Sequence, residues 1–533
     1  METTKSAPSE NRVQPGVKAV KVVVADSAPA TNSPRVTAAL VVLVLLGGGL
    51  RTAAFLADRC LWIDEAMLAL NLVDRTPRQL FDKLDYNQGA PVGFLLAVKA
   101  SISAFGPSAW ALRLGPFLAS LAGLVGFALV ARRLLSAPAA LLAVALFALS
   151  PHVVSYAGEC KQYASDAALA VGLFAVALGL IEGQGGLWRW LALAVAGAAA
   201  VWCSHPAAFV LGGIGTALLA LAAHERDRGR LLAAGLTVAA WLVSFAACYF
   251  ICLKQLDGNK YLTHYWSDHF FALPPKGFGD LVWLADHAIM FFTVPGGFGG
   301  ARVPLGGLAT VLAMIGLREF GRERRLVAVA LVVPVALVLF ASGMHKYPIG
   351  GRLMLFLVPL AVLPVARGAW VVFAALAEKN RLAAFAMIAM LVVAPLWETV
   401  AMLRRPPRHE ELNPVLEQVR NEYQTGDRVF VYYGARPAFT FYTREHPFPA
   451  AAVTFGEEHR DAPAGYRADL APLRGRVWVI VSHRHGDEET VIRAALDCRG
   501  TCEREVQRPG AAANLYLLRE PTPPTPLPSG RGE

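Results

Sequence analysis

The chain has 533 residues, of which 55% are hydrophobic and 17% are charged. Soluble domains are about 45–50% apolar and about 25% charged, so this composition excludes an ordinary soluble globular protein. The formal net charge of +10 does not call for a nucleic-acid partner, because short basic loops set the orientation of a polytopic membrane protein.

Apolar blocks of roughly 15–23 residues recur along the chain, close to the ~20 residues that span a hydrocarbon core. We therefore predict an all-α polytopic membrane protein with about eleven transmembrane helices. The polar segment 1–35 and the proline-rich segment 521–533 are predicted to be disordered tails around a transmembrane domain, 36–403, and a soluble domain, 404–520. The predicted spans are 36–57, 110–130, 139–154, 164–181, 190–203, 206–223, 231–253, 303–317, 326–341, 353–372 and 382–403.

The stretch 92–105 is apolar but short and contains Lys99, which suits a helix lying along the membrane interface. If this stretch does not span, the basic residues of the other loops all fall on one side, as the positive-inside rule requires. The N-terminus is then cytoplasmic, and the soluble domain 404–520 is non-cytoplasmic. The residues that set this orientation are Lys18, Lys21, Arg35, Arg132, Arg133, Arg226, Arg228, Arg230, Arg318, Arg322, Arg324, Arg325, Lys379 and Arg381.

An adjacent pair of acids, Asp64 and Glu65, follows Trp62 a few residues beyond the first predicted span. The amphipathic stretch after it, 66–73, is predicted to lie on the membrane. A carboxylate held there can accept a proton from an alcohol as the alcohol attacks a carbon centre, and partial burial raises its basicity. The alternative interpretation is that both acids are ordinary solvated loop residues.

A second polar cluster precedes the fourth predicted span. Tyr156, Glu159, Tyr163 and Asp166 fall at i, i+3, i+7 and i+10, which places them on one helical face, and Lys161 lies between them. Polar groups that enter the membrane are costly unless they line a polar cavity, so the cluster predicts a substrate site. The alternative is a solvated helix start whose acids favour the positive end of the helix dipole. That alternative explains Glu159 better than Asp166.

Cations stand at the start of two further apolar segments. Lys346, Tyr347 and Arg352 precede one of them, and Arg113 lies just inside another. Because a guanidinium matches phosphate oxygens in pairs, these cations predict a clamp for a phosphate at the headgroup level. The alternatives are interface anchoring for the first three residues and snorkelling for Arg113.

The segment after residue 403 alternates helical and β-rich runs, which predicts a small α/β domain. The predicted helices are 412–422 and 488–496, and the predicted strands are 428–433, 476–482 and 514–518. The segment contains no glycine-rich phosphate loop. The spacing of Cys498 and Cys502 is weak evidence for zinc, because no second ligand pair accompanies it. A disulfide between them would need an oxidising compartment.

Taken in order, these motifs resemble the GT-C superfamily of polytopic glycosyltransferases over residues 36–403. The nearest likeness is to the bacterial relatives of protein O-mannosyltransferases and to the aminoarabinose–lipid A transferases. The chain departs from the family pattern where Ala90 replaces the first residue of a double proline and where Lys161 replaces an arginine. The residues that carry the resemblance are Asp64, Glu65, Pro91, Arg113, Glu159 and Asp166.

The resemblance implies an inverting sugar transfer from a polyprenyl-phosphate donor to a hydroxyl of a lipid, glycan or protein, at the non-cytoplasmic face of a bacterial inner membrane. In this hypothesis the catalytic residues are Asp64, as general base, and Glu65, which with Glu159 orients hydroxyls. Arg352, helped by Lys346 or Arg113, stabilises the phosphate that leaves. The implied substrate-binding residues are Arg113, Glu159, Lys161, Tyr163, Asp166, Lys346, Tyr347 and Arg352.

No cofactor is predicted, although some members of the superfamily use a divalent cation. Asp64, Glu65, Glu159 and Asp166 would offer such a hard cation the oxygen ligands it prefers. The main rival function is that of a transporter or lipid flippase, a class that concentrates charges at the midplane and often shows inverted repeats. The sequence shows no clear repeat. A further rival, a membrane scaffold for the soluble domain, leaves the clustered acids unexplained.

Overall fold

The computed structural model describes residues 33–57, 59–299 and 305–519. The predicted tail 521–533 lies outside the described residues, as does the predicted tail 1–35 up to residue 32. Eight helices in the described ranges are long and apolar enough to cross a membrane. Numbered in chain order, they are α1 Pro34–Phe55, α4 Ala109–Leu134, α7 Tyr163–Ile181, α9 Ala207–Glu225, α10 Arg228–Ile251, α14 Arg325–Gly343, α15 Val358–Lys379 and α16 Arg381–Arg404.

These eight helices coincide with eight of the eleven predicted spans, so the prediction of a polytopic helical membrane protein is confirmed. The other three predicted spans form helices that are shorter or more charged: α5 Ala137–Leu149, α8 Leu187–Cys203 and α13 Gly306–Glu323. The predicted span 139–154 was too long, because the chain breaks at Ser150 and a new short helix, α6 Pro151–Tyr156, begins. Proline lacks the N–H that would continue the preceding helix.

On the side that carries the acid pair, the described helices that connect the spans include, besides α6, α2 Ile63–Asp74, α3 Val92–Phe105, α11 Lys260–Tyr265 and α12 Phe278–Thr293. The helix predicted at 92–105 is confirmed in its bounds. It starts after Pro91 and ends at Gly106, whose φ of 85° favours glycine. The sequence reasoning missed α12.

The stretch 66–73 does not form an exposed amphipathic surface, contrary to the prediction. It belongs to α2, in which Leu68, Leu70 and Leu72 are all at most 3% exposed. They are covered because α2 packs among α3 and a helix of the C-terminal domain, α18 Arg436–Tyr442. The amphipathic pattern therefore marks burial within the protein.

The C-terminal domain contains a five-stranded mixed sheet in the order β2-β1-β3-β5-β4. Strands β1, β2 and β3 are parallel, and β5 is antiparallel to both β3 and β4. The predicted small α/β domain is thus confirmed, although the short β2 and the mostly exposed β4 were missed. The strands are β1 Arg428–Val431, β2 Val453–Phe455, β3 Gly475–Ser482, β4 Gly500–Arg508 and β5 Ala511–Leu518, and the other helices are α17 Leu412–Glu422, α19 Ala464–Leu470 and α20 Glu488–Asp497.

One apolar cluster joins the C-terminal domain to the membrane part. Leu72 of α2 and Phe94 of α3 belong to the same buried cluster as Leu416 of α17 and Trp478 of β3. Burial of apolar side chains stabilises by about 25 cal/mol per Å² removed from water. The cluster therefore fixes the soluble domain against α2, the helix that carries the acid pair.

Candidate active site

The acid pair occupies the first turn of α2. Trp62 precedes the helix in an extended conformation, and the helix begins at Ile63. Neighbouring residues of an α-helix point about 100° apart, since the helix has about 3.6 residues per turn. Asp64 and Glu65 therefore face different surroundings, and the structure gives them different partners.

Glu65 is buried in an ion pair. Its Oε1 and Oε2 accept hydrogen bonds of 2.9 and 2.7 Å from Nε and Nη2 of Arg113, and the side chains are 1% and 3% exposed. Its Oε1 also accepts a 2.7 Å hydrogen bond from the backbone N–H of Cys160. Burial would raise the pKa of Glu65, but Arg113 outweighs it and lowers the pKa below the usual value. Glu65 therefore links the loop before α2 to the loop before α7.

Arg113 and Glu65 were predicted to bind a phosphate and a substrate hydroxyl, and in this structure they bind each other. The remaining Nη1 of Arg113 donates to the carbonyl oxygen of Arg59 at 2.8 Å. Both oxygens of Glu65 accept from Arg113, and both side chains are almost fully buried. In this arrangement the two residues hold the segments that present Asp64 and Glu159.

Asp64 lies between two cations. Its Oδ2 accepts a 2.6 Å hydrogen bond from Nη2 of Arg352 and lies 4.0 Å from Nζ of Lys161. The Lys161 ammonium also donates to Oε1 of Gln88 at 2.8 Å. Burial would raise the pKa of Asp64, but Lys161 and Arg352 outweigh it and hold the pKa below its usual value. Asp64 is thus a carboxylate at neutral pH, with 22% of its side chain exposed.

Arg352 belongs to a 3₁₀ turn, Gly351–Leu357, that leads into α15. Its guanidinium lies 5.2 Å from the ring centre of Trp62 and 5.7 Å from that of Tyr163. Such cation–π contacts contribute about 0.5–2 kcal/mol each and orient a guanidinium. Tyr163 thus acts on Arg352, while about a fifth of the Arg352 side chain remains exposed.

A cavity of about 610 Å³ opens beside this group. The membrane part contributes Trp62, Tyr156, Glu159 and Arg352 to its lining. A second set of lining residues comes from the other side: His409, Glu410, His483, Arg484 and Gly510. The cavity therefore lies between the membrane part and the C-terminal domain, and it has the size of a small-molecule site.

Glu159 is the carboxylate that the membrane part contributes to the cavity wall. Burial, and then the charge of Glu65, raise the pKa of Glu159 to about 7. The two acidic motifs lie together, because Glu65 and Asp64 contact Cys160 and Lys161, which directly follow Glu159. A carboxyl group that titrates near neutral pH suits proton transfer or hydrogen bonding to a substrate hydroxyl in either protonation state.

Of the ten predicted site residues, Glu159 and Arg352 belong to the cavity lining, and three of the others have partners or surroundings of their own. Lys346 is half exposed and pairs with Asp257 at 2.6 Å. The hydroxyl of Tyr347 donates to the carbonyl oxygen of Leu353 at 2.7 Å, so it supports the turn that carries Arg352. Asp166 is 5% exposed, and its Oδ1 has no hydrogen-bond partner among the described residues. Of the cations predicted for the clamp, Arg352 contacts Asp64, whereas Lys346 pairs with Asp257 and Arg113 with Glu65; Lys161 also lies next to Asp64.

The four carboxylates considered for a divalent cation do not form a ligand set. Glu65 is occupied by Arg113, and Asp64 by Arg352. Within residues 33–57, 59–299 and 305–519, no group of three or more His, Cys, Asp and Glu side chains could hold a metal ion. Cys498 and Cys502 are free thiols.

Sequence reasoning missed the lining residues that the C-terminal domain supplies. His483 and Arg484 directly follow β3, and His409 and Glu410 belong to the segment between α16 and α17. The sequence did contain a signal for these residues. A polar run, His483 to His485, directly follows a buried strand and precedes a helix. Its meaning depends on the docking of the two parts, which no local pattern shows.

Comparison with solved structures identifies the fold. ArnT from Cupriavidus metallidurans in the apo state matches with a TM-score of 0.53 and 15% identity, over 90% of this chain and 98% of that chain. ArnT bound to undecaprenyl phosphate matches with a TM-score of 0.54 and 14% identity over the same shares. The oligosaccharyltransferase of Archaeoglobus fulgidus, in complex with zinc and sulfate, matches with a TM-score of 0.50 and 14% identity, over 90% of this chain and 73% of that chain.

No protein-family model matches the chain, and the comparison with curated protein sequences finds no match. The structural likeness extends over the membrane part and the C-terminal domain together, since it covers 90% of the chain. The predicted resemblance is therefore confirmed at the level of the fold, which the chain shares with ArnT and the oligosaccharyltransferase. A fold alone does not define an activity, which has to be argued from the site.

Proposed function

We propose that the chain is a membrane glycosyltransferase that moves a sugar from a polyprenyl-phosphate donor to an acceptor hydroxyl. The observation that carries this proposal is the meeting of Arg352 and Lys161 on Asp64 beside a cavity. Two cations next to a carboxylate offer a phosphate site and a base in one place. The fold adds support, because ArnT shares it and has been crystallised with undecaprenyl phosphate.

In the proposed mechanism the donor phosphate binds to Arg352 and Lys161 and competes with Asp64 for them. These two cations hold the pKa of Asp64 low while the site is empty of donor. A bound phosphate shares their charge and adds its own negative charge nearby, and both effects raise the basicity of Asp64. Donor binding thus converts a weak base into a stronger one at the moment it is needed.

The reaction is a single displacement. The acceptor oxygen forms a bond to the anomeric carbon while its proton passes to Asp64, and the bond between that carbon and the phosphate oxygen breaks. The lipid phosphate leaves with the electron pair, and its charge is stabilised by Arg352 and Lys161. The configuration at the anomeric carbon inverts. Glu159, which also lines the cavity, is proposed to bind a sugar or acceptor hydroxyl.

The proposal places this chemistry at the non-cytoplasmic face. Arg113, which holds Glu65, lies in the first turns of α4, whereas Arg132 and Arg133 lie in its last turn. The helix has 26 residues, which corresponds to about 39 Å at 1.5 Å per residue. The site and these basic residues therefore lie at opposite ends of a spanning helix, and basic residues favour the cytoplasmic end.

The test is sugar transfer by cells and by the purified protein. Envelope lipids and glycans of cells with the wild-type chain, with Asp64→Asn and with no chain are compared by mass spectrometry. We expect one glycan or lipid to lose a sugar in the last two samples. The purified chain in lipid nanodiscs should release polyprenyl phosphate from a lipid-linked sugar only when an acceptor is added. Equal envelopes in all three samples would overturn the proposal.

A further inference from the structure

The end of strand β3 carries an unusual number of unpaired polar groups. Three buried side-chain atoms in or beside this strand end have no hydrogen-bond partner among the described residues: Oγ of Ser482, Nε2 of His485 and Oε2 of Glu410. Buried polar atoms are almost always paired, because an unpaired one costs about 1–3 kcal/mol. Of the three residues, Glu410 lines the cavity, so its missing partner can come from a ligand.

Glu410 is the best placed of these groups. It lines the cavity and is only 5% exposed. Its Oε1 lies 2.7 Å from Nδ1 of His483, and this contact fixes the carboxylate. Its Oε2 accepts no hydrogen bond from the described residues. The cavity side of the C-terminal domain thus contains a held carboxylate that needs a donor.

The backbone of His483 is also unusual. Its φ is 52°, in the left-handed region that non-glycine residues rarely adopt. Such a conformation costs about 1–3 kcal/mol and persists where the surroundings enforce it, as they often do at binding sites. Here it turns the chain at the end of β3 so that His483 and Arg484 both line the cavity.

The position of His483 and Arg484 in the sheet also supports a binding site at the end of β3. Strand β1 lies between the parallel strands β2 and β3, and the chain leaves β1 toward β2 and leaves β3 toward the opposite edge. Ligands of open parallel sheets bind in the crevice outside the carboxyl ends of strands at such a divergence. His483 and Arg484 follow the carboxyl end of β3 and line the cavity, so the cavity lies at this end of the sheet.

We propose that Glu410, His483 and the neighbouring end of β3 bind a saccharide of the acceptor. This inference rests on the proposed function and names the class of acceptor for it. Sugar hydroxyls both donate and accept hydrogen bonds, so they can donate to the Glu410 carboxylate and also bond to the His483 imidazole, which both line the cavity. A phosphate group offers acceptors and would be repelled by Glu410, and an acyl chain would leave Glu410 Oε2 unpaired.

The other lining residues fit the same ligand. Trp62 and Tyr156 present aromatic rings to the cavity, and no aliphatic side chain lines it within the described ranges. Aromatic rings pack against the apolar faces of sugar rings, while the polar groups fix the hydroxyls. The donor end, with Arg352, and the acceptor end, with Glu410, then belong to one cavity whose two walls come from different domains.

The experiment uses the full chain in lipid nanodiscs and two binding probes. The first is undecaprenyl phosphate. The second is the delipidated, water-soluble carbohydrate fraction of the cell envelope, followed by saturation-transfer NMR and then by titration of the binding component. Short peptides and a short-chain phospholipid serve as competing acceptor classes. The variants are Glu410→Gln, Arg484→Met and a control, Glu422→Gln, which changes an acid of the same domain that pairs with Arg504.

We expect a saccharide to bind the wild type and Glu422→Gln equally, and to bind Glu410→Gln about tenfold or more weakly, as for loss of a hydrogen bond to a charged group. Arg484 is less buried, so Arg484→Met provides a second measurement of saccharide binding if Glu410→Gln does not fold. Undecaprenyl phosphate should bind all variants alike. Saccharide binding that is unchanged in both variants, or binding of only the peptides or the phospholipid, would overturn the inference. Failure of undecaprenyl phosphate to bind the wild type would instead count against the proposed function.

Discussion

Arg352 donates a 2.6 Å hydrogen bond to Asp64, although the two residues are 288 positions apart in the chain. The pair joins the first turn of α2 to the turn that leads into α15. In the proposed mechanism the carboxylate has two opposing roles, because it is the base for the acceptor and also a competitor of the donor phosphate. The two roles separate in experiments that measure binding and transfer independently.

Replacement of Asp64 by Asn should therefore divide binding from catalysis. Transfer should fall by about 10²–10⁴-fold, the usual contribution of general base catalysis. Undecaprenyl phosphate should bind at least as tightly as to the wild type, because Arg352 and Lys161 lose a competing carboxylate. Asp82→Asn, an exposed acid between α2 and α3, is the matched control. Equal transfer by Asp64→Asn and wild type would remove Asp64 from the base role.

Replacement of Arg352 by Met should weaken donor binding. We expect undecaprenyl phosphate to bind about tenfold or more weakly, because a charge-assisted hydrogen bond to phosphate is worth about 1.5–3 kcal/mol. Arg322→Met, which removes an arginine that is more than half exposed and paired with Glu319, should have no effect. The measurement is a titration in nanodiscs. Identical affinities in the two variants would exclude Arg352 from the phosphate site.

The buried pair of Glu65 and Arg113 should behave as a structural unit. Arg113→Met leaves a buried carboxylate without its partner and should cost about 3–5 kcal/mol of stability. The double variant Glu65→Leu with Arg113→Met should be more stable than Arg113→Met alone, since both charges are gone. Thermal unfolding in detergent measures the differences. Asp85→Asn, which breaks an exposed pair with Arg75, should change stability by less than about 1 kcal/mol. A double variant no better than the single would argue against this account.

Glu159 should make stability depend on pH near neutrality. Its pKa is raised from about 4.5 to about 7 in the folded chain, so the folded state holds the proton more tightly than the unfolded state does. The stabilisation is complete below about pH 4.5 and is lost as the pH rises through about 7. The unfolding temperature of the wild type, measured relative to that of Glu159→Gln, should therefore decrease as the pH is raised from about 5 to about 8. A constant difference over that range would contradict the raised pKa.

The sequence predicted the spanning helices and three of the five strands, but not α12, β2 or β4. Hydrophobic block length marked the spanning helices, and the ordered acidic motifs indicated where the site lies. The sequence could not distinguish the roles of Asp64 and Glu65, because the two neighbouring acids differ only in the side of α2 that they face. The structure shows that Glu65 and Arg113 bind each other, so neither is open to a substrate.

Other features depend on tertiary packing and so could not be predicted locally. The amphipathic α2 is predicted to lie on the membrane, but the sequence pattern of an apolar helix face is the same whether lipid or protein covers it. Lys346 stands close to Arg352 in sequence, yet it pairs with Asp257 on the surface. The wall that contains Glu410 arises only when the C-terminal domain docks against α2.

The apolar cluster that runs from α2 into β3 has a consequence for evolution. A soluble module tethered by a flexible linker can be exchanged for another without harm to its enzyme. Here such an exchange would uncover Leu72 and its neighbours beneath the acid pair and loosen the first turn of α2. Changes of acceptor preference are therefore expected to arise by substitution within the rim of the crevice, while the module itself is inherited whole.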